Sequence, residues 1–182
     1  LATADFVVMG VGARPNTSLA AAAGLEMTAR GGIVVDEFLC TSAPDVYAAG
    51  DIAAWPEPSL GRQMRVEHWD VARNQGFRAG RNMSGTPRPY DTLPYFFTDV
   101  CDVSPEVWGD PSGKDVTVLR GSLEQGHYAF YYFRDGKVTA VLAAGRPDAE
   151  REPMQAIVRA RLPFDAVAEK LADEAFDLST LA

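Results

Sequence analysis

Apolar and polar positions change rhythm near residue 90. Before it, apolar residues fall in short unbroken runs: DFVVMGV over 5–11, IVV over 33–35 and VYAA over 46–49. Runs of this length predict strands buried on both faces. An Ala-rich stretch, 18–23, predicts a short helix with Asn16 or Thr17 as its cap and Gly24 as its stop. Gly31-Gly32 and 40–44 read as turns, and 55–65, broken by Pro56, Pro58 and Gly61, as a loop. Residues 69–83 have helical spacing, with Ala72, Gln75, Ala79 and Met83 on one side and Arg73, Arg78 and Arg81 elsewhere. Gly85-Thr86-Pro87 ends that helix.

Residues 86–94 hold three Pro and no periodicity, which marks a boundary. Beyond it the pattern predicts strands at 116–119, 127–133 and 137–144. The last two flank Arg134-Asp135-Gly136, and Asp-Gly is a strong hairpin signal. Two helices follow. One covers 148–161, with Asp148 as cap and Arg151 and Glu152 in its first turn; the other covers 164–175, with Val167, Leu171 and Ala175 on one face. The predicted architecture is an α/β part resembling a nucleotide-binding sheet, followed by an α+β module with an antiparallel sheet closed by helices.

A length of 182 residues suits one domain or two small ones, large enough to fold without disulfides or metal. Hydrophobic residues at 47% and charged residues at 23% exclude a disordered or fibrous chain. No run of 18 apolar residues is present, so no membrane helix is expected. Cys40 and Cys101 form neither a CxxC pair nor a metal-ligand spacing, and a cytoplasmic location is the default expectation. The net charge of −8 argues against a nucleic-acid partner. It is unevenly spread: 1–88 carry 8 basic and 9 acidic residues, net −1, and 89–182 carry 9 and 16, net −7. Within 62–88, six Arg face only Glu67 and Asp70, a local +4. The chain opens Leu1-Ala2-Thr3 with no Met and no signal-peptide pattern, so it is expected to be processed or part of something longer.

Candidate chemistry lies at four places. Gly10-Val11-Gly12-Ala13-Arg14-Pro15 mimics a dinucleotide loop, but Pro15 replaces the third Gly of that fingerprint, which permits close helix–strand packing. It reads as a strand-end turn in which Gly12 lets backbone approach a neighbour or ligand. In the run 46–53, small residues lead to Gly50 and then Asp51. An acid there can accept hydrogen bonds from ligand hydroxyls such as a ribityl chain, or can cap the next turn. Glu67-His68-Trp69-Asp70 precedes the 69–83 helix, whose N-terminus offers free N–H donors and partial positive charge to the electron-rich edge of a reduced flavin. Alternatively Asp70 caps the helix while His68 and Trp69 pack. Residues 94–99, PYFFTD, supply flat aromatic surfaces for a cofactor ring or for the core. His127 lies in an aromatic strand, and with two His in the chain a hydrolytic triad or metal site is not expected.

In order, GVGARPN (10–16), GGIVVD (31–36), TSAPDVYAAGD (41–51), RVEHWDVARNQG (65–76) and PYFFTDVCD (94–102) resemble the FAD-dependent pyridine nucleotide-disulfide oxidoreductases. The EHW and FFTD motifs narrow the likeness to the ferredoxin-reductase-like branch, which includes apoptosis-inducing factor and monodehydroascorbate reductase, and they disfavour a disulfide reductase. The resemblance implies a C-terminal portion: 1–25 the end of an NAD(P)H-binding domain, 26–88 the second segment of an FAD-binding domain, and 89–182 a C-terminal reductase domain. The missing N-terminal half of the same protein is then an implied partner. FAD and NAD(P)H are the implied cofactors, and a protein such as ferredoxin the implied one-electron acceptor. Asp51, after Gly50, matches the residue that binds the ribityl and pyrophosphate region. His68 and Trp69 match positions whose backbone meets the flavin pyrimidine, Glu67 and His68 positions near the nicotinamide, and Gly12 a backbone position facing NAD(P)H. Phe97 stands where many relatives have Trp beside the isoalloxazine, keeping the aromatic face without the indole N–H. No general acid–base residue is implied. A second reading makes the isolated chain a folding fragment or interaction module that binds no flavin.

Overall fold

The computed structural model describes residues 3–58 and 60–181. Two apolar cores divide them. The first joins Ile33, Val35, Leu39, Trp55, Val71 and Tyr90; the second joins Trp108, Tyr131, Phe133, Val141, Met154 and Leu171.

The first core is built from α1 (Ser18–Ala22), β1 (Ile33–Val34), a 3₁₀ turn at Gly50–Ile52, β2 (Ala53–Glu57), β3 (Arg62–Met64) and α2 (Trp69–Met83). β1 pairs parallel with β2, Ile33 opposite Ala53, and β2 pairs antiparallel with β3, Trp55 opposite Met64. The helix expected over 69–83 forms with those bounds and buries Val71, Gln75, Ala79 and Asn82. Asn82 earns its burial by donating to the carbonyls of Phe38 and Arg88 and accepting the Arg88 N–H.

Three expectations for this half fail. Residues 5–11 are not a buried strand: they form no ladder, and Phe6, Val7, Val8 and Met9 are 77–85% exposed. An apolar run becomes a strand only beside a neighbour, and no described strand lies alongside. Residues 46–49 contribute only an isolated bridge, Tyr47 to Cys40. Residues 55–65 are a hairpin rather than a loop. β1 reaches only as far as Ala54, so at Pro56 a single strand flanks β2, and a proline is tolerated where no second ladder needs its N–H.

The second core lies under a five-stranded antiparallel sheet of β4 (Tyr95–Phe97), β5 (Glu106–Gly109), β6 (Val116–Ser122), β7 (His127–Arg134) and β8 (Lys137–Ala144), in the order β4-β5-β8-β7-β6. Along β7, Ala129, Tyr131 and Phe133 are buried while the residues between them are half-exposed. That alternation marks a sheet with one face on the core. The β7–β8 turn puts Asp135 at φ 51° and Gly136 at φ 68°, the two left-handed residues that a two-residue hairpin favours. α3 (Arg151–Ala160) and α4 (Phe164–Ala172) cover the inner face. α3 is shorter than the predicted 148–161, because Asp148–Glu150 winds as a 3₁₀ turn and Asp148 makes no side-chain cap; α4 stops at Ala172, short of Ala175. β5 and the final 3₁₀ turn at Leu178–Leu181 had no sequence signal of their own.

A buried charge network holds the C-terminal segment to this sheet. Arg120 of β6, 1% exposed, donates to the carbonyls of Asp173, Glu174 and Phe176 and to Glu150 Oε1 at 3.1 Å. Arg146 donates to both Glu150 oxygens, at 2.9 and 2.7 Å, and to Glu174 at 2.7 Å. Burial pushes the Glu150 carboxyl up, but the hydrogen bonds from Arg146 and Arg120 outweigh it and hold the group below its ordinary value. Between the cores, buried Asp110 pairs with Arg62 of β3 and with Arg134 of β7.

Candidate functional site at the start of helix α2

The site begins where β3 runs into α2. His68 is the helix N-cap: its Nδ1 accepts the Asp70 N–H at 3.2 Å, and its carbonyl accepts the Ala72 N–H. The cap is therefore an imidazole, not the Asp70 carboxylate that the sequence offered as an alternative. Asp70 instead accepts from Asn74 Nδ2 at 2.8 Å. Its Nε2 lies 3.3 Å from both the carbonyl and the N–H of Phe97. One side chain thus ties the start of α2 to β4, and the His68 and Phe97 rings meet edge-on at 5.2 Å. Phe97 remains 42% exposed and Trp69 66% exposed, so two aromatic faces flank a helix N-terminus. The Arg73 guanidinium sits over the Trp69 ring at 5.6 Å. Behind Phe97, Tyr95 donates from its hydroxyl to Glu106 at 2.6 Å; burial and that carboxylate push its phenol up to about 12.

The Gly50–Ile52 turn faces the same helix. Gly50 is left-handed, φ +78°, and a Cβ there would come within 3.3 Å of Ala72 Cβ. Its N–H donates to Gln75 Oε1 at 2.8 Å, inside the protein. Gln75 is fully buried, and its Nε2 has no hydrogen-bond partner among the described residues. Asp51 is exposed, and its carboxylate takes no hydrogen bond among the described residues. Arg65 bridges the two halves of the site: its Nη1 donates to the Asp51 carbonyl and to Glu67 Oε1, both at 2.7 Å. On the Glu67 side opens a cleft of about 740 Å³ between the two cores, lined in part by Arg30, Arg62, Arg65, Glu67, His68, Phe96 and Asp110.

Of the residues singled out from sequence, the structure gathers Gly50, Asp51, Glu67, His68, Trp69 and Phe97 around the start of α2. Gly12 stands apart: it is exposed, left-handed at φ +74°, and nothing lies within 4 Å of where its Cβ would be. Two residues escaped the sequence reading. Gln75 carried a signal, being the polar member on the apolar side of its helix. Arg65 carried none beyond opening the 65–76 motif, two residues before Glu67.

This arrangement can offer N–H donors, an unpaired carboxylate and aromatic faces to an elongated anionic ligand with a flat ring. The chain is similar to known proteins over nearly all of its length. Residues 2–76 match the family described as "Pyridine nucleotide-disulphide oxidoreductase" and residues 95–182 the family "Reductase C-terminal". Monodehydroascorbate reductase 3 of Arabidopsis thaliana is 35% identical over 97% of this chain and 41% of its own length. Putidaredoxin reductase of Pseudomonas putida is 32% identical over 98% of this chain and 41% of its own. Among solved structures, a ferredoxin reductase from Rhodopseudomonas palustris superposes with a TM-score of 0.84 at 34% identity, covering 98% of this chain and 43% of that one. The covalent putidaredoxin reductase–putidaredoxin complex superposes with a TM-score of 0.83 at 33% identity, covering 98% and 42%. The chain spans about two-fifths of the length of these relatives. In motif order, in fold and in both of its matched segments, the chain belongs to the pyridine nucleotide-disulphide oxidoreductases, on the branch of the monodehydroascorbate and ferredoxin reductases.

Proposed function

We propose that this chain is the C-terminal portion of an FAD-dependent NAD(P)H oxidoreductase that passes electrons to a one-electron acceptor protein of the ferredoxin kind. The observation that carries the reading is the joining of the Gly50–Asp51 turn to the start of α2, through Gln75 on one side and Arg65 on the other. The residues present fit a flavin dinucleotide. Asp51 has a free carboxylate beside a helix N-terminus, and Phe97 and Trp69 present exposed rings. In this reading Asp51 accepts from the ribityl hydroxyls, the backbone of His68 and Trp69 meets the pyrimidine edge, and the α2 dipole favours its reduced, electron-rich form. Glu67 and His68 lie near the nicotinamide, Gly12 faces NAD(P)H by backbone, and Phe97 lies beside the isoalloxazine. FAD, when bound, supplies the conversion of two-electron hydride transfer into single-electron delivery.

The proposed divisions are 1–25 for the end of the NAD(P)H-binding domain, 26–88 for the FAD-binding segment and 89–182 for the reductase C-terminal domain. Two surfaces support a larger protein around them. One is the exposed apolar run from Phe6 to Val11; the other is a shallow groove on α2 lined by Ala72, Gly76, Phe77 and Gly80. The same exposed run favours a second reading of the isolated chain, as a module that holds no flavin without its other half.

Purification of the chain and of the longer protein, with flavin added, tests the reading. The longer protein is expected to carry bound flavin, and Asp51→Ala to lower its occupancy. Unchanged occupancy in that variant counts against the assignment of Asp51. For the acceptor, Arg73 and Arg81 are exposed and Arg78 half-exposed on α2, a cationic face suited to steering an acidic partner. Charge reversal at all three is expected to slow acceptor-linked turnover and flatten its salt dependence; neither change appearing removes them from the docking surface.

A further inference from the structure

We infer that Arg65 is a positioning residue that fixes the Glu67 carboxylate against the nicotinamide end of the site and couples it to the Asp51 turn; this rests on the functional reading above. Arg65 bonds both halves of the site, through Nη1 to the Asp51 carbonyl and to Glu67 Oε1, each at 2.7 Å. Without it, Glu67 is a half-exposed carboxylate on a flexible stem. An exposed ion pair contributes little to stability, so a bond of this length is better explained by what it positions than by what it stabilises. The site also makes room for it. A Cβ at Gly32 would lie 3.0 Å from Arg65 Cδ, so the glycine of the Gly31-Gly32 turn leaves space for the Arg65 stem. Guanidinium is charged at any working pH and presents several donors in a fixed fork, which lets one group serve a carbonyl and a carboxylate together. Held this way, Glu67 keeps its second oxygen free to accept an N–H from a nicotinamide carboxamide, with its orientation set before the nucleotide arrives.

The test is rapid-mixing reduction of the FAD-saturated full-length protein by its nicotinamide nucleotide, comparing Arg65→Gln, Glu67→Gln, the double variant and Arg65→Lys. Each single Gln variant is expected to raise the nucleotide dissociation constant about tenfold, the order of one charge-assisted hydrogen bond, with the limiting reduction rate changed much less. The double variant is expected to be no worse than Glu67→Gln alone, and Arg65→Lys, which keeps the charge and guards against a folding defect, to recover part of the loss. Multiplied effects in the double variant, near a hundredfold, or wild-type binding in Arg65→Gln overturn the inference while leaving the functional reading standing. A wild-type protein that takes up FAD but is not reduced by either nucleotide overturns both.

Discussion

Gly50 is the hinge of the proposed cofactor turn, and replacing it with Ala has a magnitude that follows from geometry. At φ +78° an Ala costs about 1–2 kcal/mol in left-handed backbone. Its Cβ would also stand 3.3 Å from Ala72 Cβ, inside the ordinary separation of about 3.5–4.0 Å, while Ala72 Cα at 3.7 Å is an ordinary contact. Relief requires the turn and α2 to part slightly, against the 2.8 Å bond from Gly50 N–H to Gln75. Overpacking of this kind costs about 1 kcal/mol or more. Gly61 is an internal control: it is left-handed at φ +62° with nothing within 4 Å, so Gly61→Ala carries the backbone term alone. Denaturant unfolding should show Gly50→Ala losing about 1 kcal/mol more than Gly61→Ala. Ala72→Gly costs about 1 kcal/mol as a helix substitution, but in the Gly50→Ala background it restores the gap, so the double variant should lose less than the sum. Flavin release from the holoprotein should quicken in Gly50→Ala and not in Gly61→Ala. Equal losses at the two glycines, or strict additivity with Ala72→Gly, would refute the claim that the turn rests on the helix.

Two further predictions concern the frame that carries Phe97. Arg120→Met leaves Glu150 short of a buried partner and strips three carbonyls of 173–176 of their donor. A loss of about 3–5 kcal/mol is expected by thermal unfolding, with faster proteolysis after residue 172; a loss under about 1 kcal/mol would show the network to be dispensable. Glu150 is held below its ordinary value in the folded state, so its contribution is present above the ordinary Glu range and is lost as pH falls through the folded value. Glu150→Gln should therefore be less stable than wild type at neutral pH, with the gap closing on acidification; a gap that stays constant with pH contradicts this.

The parts of the fold legible in the sequence are those whose signals are local. α2 shows through its helical spacing and its Gly85-Thr86-Pro87 stop, and the β7–β8 hairpin through Asp135-Gly136 and the alternation of β7. What failed depended on neighbours. Pro56 and Pro58 read as loop, yet β2 forms because only β3 pairs with it at that level. Residues 5–11 have a strand's composition but no described strand beside them. β5 is short and owes its place to β8, which it meets at Val107 and Leu142. At the site, Asp51, Glu67, His68, Trp69 and Phe97 were readable as a series of motifs, and the fold brings them together. One of the two readings of 67–70 gave the helix cap to Asp70, whereas His68 takes that role by reaching the Asp70 N–H and Phe97 at once. Arg65 lay beyond reach because its function is a three-way contact, with a carbonyl fourteen residues back as one partner.

The central claim is that the Gly50–Asp51 turn and the start of α2 together hold a flavin. Its most direct test is quantitative FAD titration of the full-length protein, wild type against Asp51→Ala, followed by flavin absorbance and by protein fluorescence. One flavin is expected to bind per chain in the wild type, with binding weakened about tenfold or more in the variant, the order of one or two hydrogen bonds to a carboxylate. A wild-type protein that retains no flavin once excess FAD is removed, or an Asp51→Ala protein that binds it equally well, would show that the turn and the helix start do not hold the cofactor.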